Sequence, residues 1–223
     1  MLNELFWSNW WRYFVGIIGP SIFSTLRMLV ATMVIAFFCG FLLSMALVMS
    51  RQDGLKPNRY LYRVLDFWAN SIRSFPIIIL IVAISPVTRA VVGTTIGENA
   101  AILPLSIAAT PFLARILENI FIEVDQQLIE AARSFGASDF QIFFKVIVKE
   151  SVPSIVSGLT LATITFLSAT TLAGAVGAGG LGAVALNYGY QSFNNTILYT
   201  AVLIIFFLVI LIQGTGDYLY KKL

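Results

Sequence analysis

The stretch SVPSIVSGLTLATITFLSATTLAGAVGAGGLGAVALNYGYQSFNNTILYTAVLIIFFLVILIQGTG, residues 151–216, contains no Asp, Glu, Lys or Arg. A helix crosses about 30 Å of hydrocarbon with about 20 mostly apolar residues. This stretch is therefore too long for one span. The glycine-rich segment 174–182 and the polar segment 187–196 divide it into a fourth span near 152–173 and a fifth near 196–216.

Three more apolar segments lie upstream, at about 20–49, 66–88 and 99–117. The whole chain of 223 residues is 58% hydrophobic and only 11% charged. A soluble domain carries about 25% charged residues, so this chain has too few charges to cover a water-facing surface, and disorder fails for the same reason. The reading is an all-α integral membrane protein of five transmembrane helices, residues 20–223, preceded by residues 1–19. In that leading part Trp7, Trp10, Trp11 and Phe14 fall on one helical face. Such a face suits an interfacial amphipathic helix at the lipid headgroups, or an aromatic tail packed on the bundle. Glu4, and the lack of a basic region ahead of the apolar stretch, argue against a cleavable signal peptide.

Absent residue types narrow the chemistry. Without histidine, neither a Ser-His-Asp triad nor a His-containing metal site can be built. The single Cys39 has no partner for an internal disulfide and reads as a small buried hydrophobe. None of the five lysines follows a glycine, so no P-loop is present. Gly177-x-Gly179-x-x-Gly182 matches the dinucleotide fingerprint, but no acidic residue follows until Asp217. Small residues that let backbones approach closely are the better reading of that run. No catalytic, cofactor-binding or metal-ligating residue is assigned, and no basic surface suited to nucleic acid is found.

Basic residues set the orientation, because cytoplasmic loops are enriched in Lys and Arg. Arg51, Lys56, Arg59, Arg63, Arg115, Arg133, Lys145, Lys149, Lys221 and Lys222 fall on one side, against Arg12, Arg27 and Arg89 on the other. The N-terminus is thus expected outside and the C-terminus inside. Asn194-Asn195-Thr196 forms a glycosylation sequon on the outer side, too short a match to carry meaning. Arg73, inside the second span, is an intramembrane charge and hence a functional candidate. It lies about seven residues into the span, so roughly 10 Å above the entry near Asp66 at 1.5 Å per residue. There it can snorkel to inner-leaflet headgroups, pair with Asp66, or transmit motion. The hydroxyls of span four, Thr160, Thr163, Thr165, Ser168, Thr170 and Thr171, can bond back to their own helix or line a path.

The loop at about 118–150 holds six of the eleven acidic residues. It reads as two short helices. Asp125 caps the first, whose apolar face is Leu128, Ile129, Ala132 and Phe135. Gly136 makes the left-handed stop. Ser138 and Gln141 form a capping box for the second, which carries Phe140, Phe143, Phe144 and Ile147.

Glu130-Ala131-Ala132, three residues, then Gly136 resembles the "EAA" loop of ABC importer permeases. Arg73-Ser74-Phe75-Pro76, Gly93-Thr94-Thr95-Ile96-Gly97 and Pro111 through Asn119 resemble the methionine-import branch. So do Gly174 through Gly182, Tyr188-Gly189-Tyr190 and the Gln213 to Asp217 stretch. The resemblance implies the type I permease fold with cytoplasmic coupling helices, placed in the bacterial inner membrane. Glu130, Ala131, Ala132, Gly136, Ser138 and Phe140 would dock on an ATPase. Gly174, Gly177, Gly179 and Gly180, with Thr163 and Ser168, become gate or pathway candidates. The implied partners are an ATPase dimer carrying ATP and Mg, a solute-binding lipoprotein, a second permease copy and membrane lipid. The implied task is methionine import by alternating access, in one or both enantiomers. A permease for another amino acid or a small organosulfur solute, or an ATP-independent carrier or channel, stays open. One departure stands out: where the family's loop ends in Leu-Pro, this chain has Val148-Lys149, so the second coupling helix is expected to run on.

Overall fold

In the computed structural model, which describes residues 10–223, all the regular elements are helices. The first apolar segment lies in one helix, α1 (Trp10–Ser50), which runs through Pro20 without a break, so residues 10–19 are continuous with the span expected from Pro20. A π-helical turn at Phe14–Ile18 explains the continuity. Gly19 N–H bonds to the Phe14 carbonyl, five residues back, directly ahead of Pro20. A regular α-turn would drive the proline ring against the carbonyl of residue 16. Trp10 and Phe14 stack at 5.1 Å, and Trp10 Nε1 donates to Thr200 Oγ1 at 3.4 Å, so part of the aromatic cluster packs on the bundle. Trp11 is exposed, and Trp7 lies outside the described residues.

The second apolar segment is not straight. Helix α2 (Arg59–Arg73) and helix α3 (Ile77–Ala83) meet at 99° across Ser74-Phe75-Pro76. Proline biases the preceding residue out of the α region, which ends α2. Asn58 caps its start, accepting from Leu61 N–H at 3.0 Å. Helix α4 (Ser85–Val92) follows and stops at Gly93, φ +86°. Helix α5 (Glu98–Ile122) contains Pro104 and Pro111. The coupling loop supplies α6 (Gln126–Ser134) and α7 (139–150). The latter comprises Asp139–Ile142, a π-turn Phe143–Ile147, and Val148–Glu150. Helix α8 (Val152–Ala173), a further helix α9 (180–190) and α10 (Asn195–Lys222) complete the chain. Among the described residues, four helices are long and apolar enough to cross a membrane, and the bent pair makes a fifth if it is one span. That agrees with the five apolar segments read from the sequence.

Helices α1 and α5 form the centre. A Cβ on Gly40 would stand 3.0 Å from the Thr110 carbonyl, so the two backbones nearly touch. Leu105, Leu113 and Leu117 of α5 pack there with Met28 and Ala36 of α1 and Phe166 of α8. At one end Phe41 of α1, Phe121 of α5 and Phe143 of α7 form edge-to-face pairs with centroids 5.4–6.1 Å apart. Such pairs add about 0.5–1.5 kcal/mol each beyond burial. They lock α7 to the bundle. At the other end Ile18, Leu181, Val184, Ile197 and Ala201 make a smaller cluster joining α1, α9 and α10.

Candidate coupling site

The helix-turn-helix at 125–150 is built by local hydrogen bonds. Asp125 accepts from Gln127 N–H at 2.8 Å and starts α6. Gly136 has φ +80°; its N–H donates to Arg133 O, and Ala137 N–H donates to Ala132 O at 3.1 Å. This is the left-handed stop read from the sequence. The capping box forms in full: Ser138 Oγ accepts from Gln141 N–H, and Gln141 Oε1 accepts from Ser138 N–H at 2.9 Å. Arg133 and Asp139 face one another across the turn at 3.5 Å.

The apolar residues split between two directions. Ile129, Ile142, Phe143 and Ile147 are buried, and Ala132 is half-buried. Phe135, Phe140, Phe144 and Leu128 face outward, at 91%, 61%, 48% and 42% exposure. The single apolar face expected for each helix is therefore two half-faces, one anchoring and one open. Glu130 and Ala131 are exposed. Glu130 and Arg133 border a cleft of about 190 Å³ whose far wall is Arg51, Asp53 and Leu55 of the α1–α2 loop. No Cβ contact blocks Gly136, so its requirement is the backbone angle alone.

Val148-Lys149 has the effect anticipated. The backbone stays helical from Asp139 through Ala173, and Ser151 between α7 and α8 keeps right-handed angles (φ −83°, ψ −4°). Pro153 falls in the first turn of α8, where its missing N–H costs nothing.

A polar network next to this site has no counterpart in the sequence reading. Arg115 of α5 pairs with Asp66 of α2 and, at 2.6 Å, with Glu118 one turn on. Tyr62 donates to Glu118 at 3.3 Å. Glu118 is only 2% exposed, so the pairing compensates a buried carboxylate. Asp66 is thereby taken, and the Arg73–Asp66 pairing considered for the second span does not form. Arg73 is exposed at the end of α2, beside the bend, and the depth expected for it assumed a helix that does not continue.

A model of the binding-protein-dependent transport system inner membrane component family matches residues 43–223. The chain belongs to this family. It is thus a multi-pass inner-membrane permease, and its role is transport rather than catalysis. This permease is 39% identical to the probable D-methionine transport system permease protein MetI of Vibrio cholerae, over 96% of each chain. It is 40% identical to the methionine import system permease protein MetP of Bacillus subtilis over 77% of each. It superposes with TM-score 0.90, at 38% identity, on a chain of the MetNI methionine ABC transporter in an inward-facing conformation, covering 92% of this chain and 95% of that one. A chain of an amino acid ABC transporter crystallised with histidines shares the fold, with TM-score 0.75 at 17% identity.

The glycine run of the permease is a tight reversal between α8 and α9, not a strand-to-helix phosphate loop. Gly177, Gly179 and Gly180 have φ of +95°, +83° and +75°. A Cβ on Gly174 would meet Ala183 N at 2.5 Å. The run is clasped from two sides: Gly97 N–H donates to Gly177 O at 2.8 Å, and Leu181 N–H donates to Thr25 Oγ1 at 2.8 Å. Every hydroxyl named in span four bonds its own helix, Thr163 to Leu159 O at 2.7 Å and Ser168 to Ile164 O at 3.4 Å among them. Asn194 of the sequon caps α10, accepting from Ile197 N–H at 3.2 Å.

Proposed function

We propose that this permease imports methionine, driven by a separate ATPase, by alternating access. The observation that carries the reading is the outward half-face of Phe135, Phe140 and Phe144 on a capped helix-turn-helix. That helix-turn-helix is locked to the bundle by Phe143, Phe121 and Phe41. Exposed aromatic side chains on a polar segment fit a partner's groove. The buried half-face passes the partner's movement to α1 and α5. The substrate is proposed from the relatives, whose names specify methionine.

In this scheme two permease copies enclose the path, and a solute-binding protein delivers methionine outside. ATP and Mg sit on the ATPase dimer, not on this chain. Closure of that dimer pushes α6 and α7, with Glu130, Ala131, Ala132, Gly136, Ser138 and Phe140 at the contact. The outer mouth then opens near the glycine run (Gly174, Gly177, Gly179, Gly180), with Thr163 and Ser168 along the path. The N-terminus lies outside and the C-terminus inside, as the distribution of Lys and Arg argues.

The test is uptake of labelled methionine in cells lacking their own importer, supplied with this permease and its genomic neighbours. Uptake is expected, and Gly136→Trp is expected to abolish it. Failure of the wild type to take up methionine would reject the substrate. Full uptake by Gly136→Trp would reject the coupling role.

A further inference from the structure

At the ends of α1 and α5 that carry the coupling loop, a cavity of about 670 Å³ opens beside α2. Four arginines line it, Arg51, Arg59, Arg63 and Arg115, against two carboxylates, Asp53 and Glu118. Arg115 is held by Asp66 and Glu118. Arg51, Arg59 and Arg63 make no ion pair with any other described residue. The cavity therefore keeps an uncompensated positive charge.

A second observation says what the cavity takes. Tyr60, Val64, Phe67 and Trp68 recur at i, i+4, i+7 and i+8 along α2, with Tyr60 81%, Phe67 66% and Trp68 63% exposed. Arg59 and Arg63 flank this apolar stripe on the cavity side. An aromatic and aliphatic stripe beside unpaired guanidinium groups, at the ends of spanning helices, offers an acyl chain and a phosphate ester adjoining surfaces.

We infer that this cavity, together with the exposed face of α2, is a binding site for an anionic phospholipid of the inner leaflet. The phosphate diester sits among Arg51, Arg59 and Arg63, and an acyl chain lies along Val64, Phe67 and Trp68. The leaflet rests on the orientation proposed above; the site itself does not. Because Arg115 ties α2 to α5 next to the coupling helices, an occupied site holds α2 in place where the ATPase acts.

The assembled complex of permease and ATPase, in nanodiscs of phosphatidylcholine with or without phosphatidylglycerol, provides the test by native mass spectrometry. The wild type is expected to retain phosphatidylglycerol and not phosphatidylcholine. Arg59→Gln/Arg63→Gln, two exposed positions, is expected to weaken retention about tenfold or more. Lys221→Gln/Lys222→Gln is expected to leave it unchanged. A photoactivatable phosphatidylglycerol should crosslink the wild type within 59–68, a readout that needs no variant. Equal retention by wild type and Arg59→Gln/Arg63→Gln, crosslinks elsewhere, or no retention in the assembled complex because protein covers the site would each overturn the inference. Displacement of the lipid by millimolar glycerol phosphate would assign the site to free phosphate esters instead. The orientation is read separately: labelling of Lys222→Cys from outside, in a Cys39→Ser background, would reject the topology and move the site to the other leaflet with retention intact. Lost methionine uptake with retention intact would reject the substrate alone.

Discussion

Arg115 shows how a single residue organises the end of the bundle that carries the coupling loop. It spans from α5 to α2 and satisfies two carboxylates, one of them fully buried. Removing one member of such a set leaves an uncompensated charge, at a cost of about 3–5 kcal/mol. Arg115→Met is therefore expected to lower the thermal stability of the detergent-purified permease severely. Asp66→Asn, which loses only the 34% exposed partner, should cost less. Equal melting temperatures for wild type and Arg115→Met would show that the network adds nothing. Gly136 differs in kind: its side-chain space is empty, so substitution there acts through the left-handed backbone, about 1–2 kcal/mol for an L-residue, and through what the new side chain presents to a partner.

At the scale of elements, the coupling helices divide labour between faces. Phe135→Ala and Phe140→Ala remove exposed rings and are expected to leave the permease's melting temperature unchanged while weakening co-purification of the ATPase tenfold or more, on the order of 1.4 kcal/mol. Phe143→Ala, at a fully buried position, is expected to unfold this end instead, costing about 3–5 kcal/mol. Retention of the ATPase by Phe135→Ala/Phe140→Ala would place the docking face elsewhere. The local devices here were legible in the sequence, because Asp125, Gly136 and the Ser138/Gln141 pair act within three or four residues. The apolar spans were legible from hydropathy alone. The bend at 74–76 was not, although Pro76 marks it, since apolar residues on both sides read as one run. The continuity of α1 ahead of Pro20 escaped because the π-turn that accommodates the proline leaves no compositional mark. The Arg115 network escaped because its partners lie 49 residues apart in the chain for Asp66, while Tyr62 and Glu118 are separated by 56.

Over the whole molecule, large apolar side chains remain uncovered on two sides. Phe23, Val30, Val34, Phe38 and Leu42 run along α1, and Tyr199, Val202, Leu203, Phe206, Phe207, Ile210 and Leu211 cover much of α10. In a family of inner-membrane components such faces meet lipid or neighbouring helices. Proteoliposomes containing the permease without its ATPase are expected to show no methionine flux. Flux at the rate of the complete system would make the chain an autonomous carrier. The clasp between Gly97 and Gly177 adds a separate consequence. It joins two loops through main-chain groups alone, with no titratable side chain in the bond. That bond itself is indifferent to acidity, whereas the Arg27–Glu98 ion pair one residue on, with Arg27 half-exposed, is open to screening by salt.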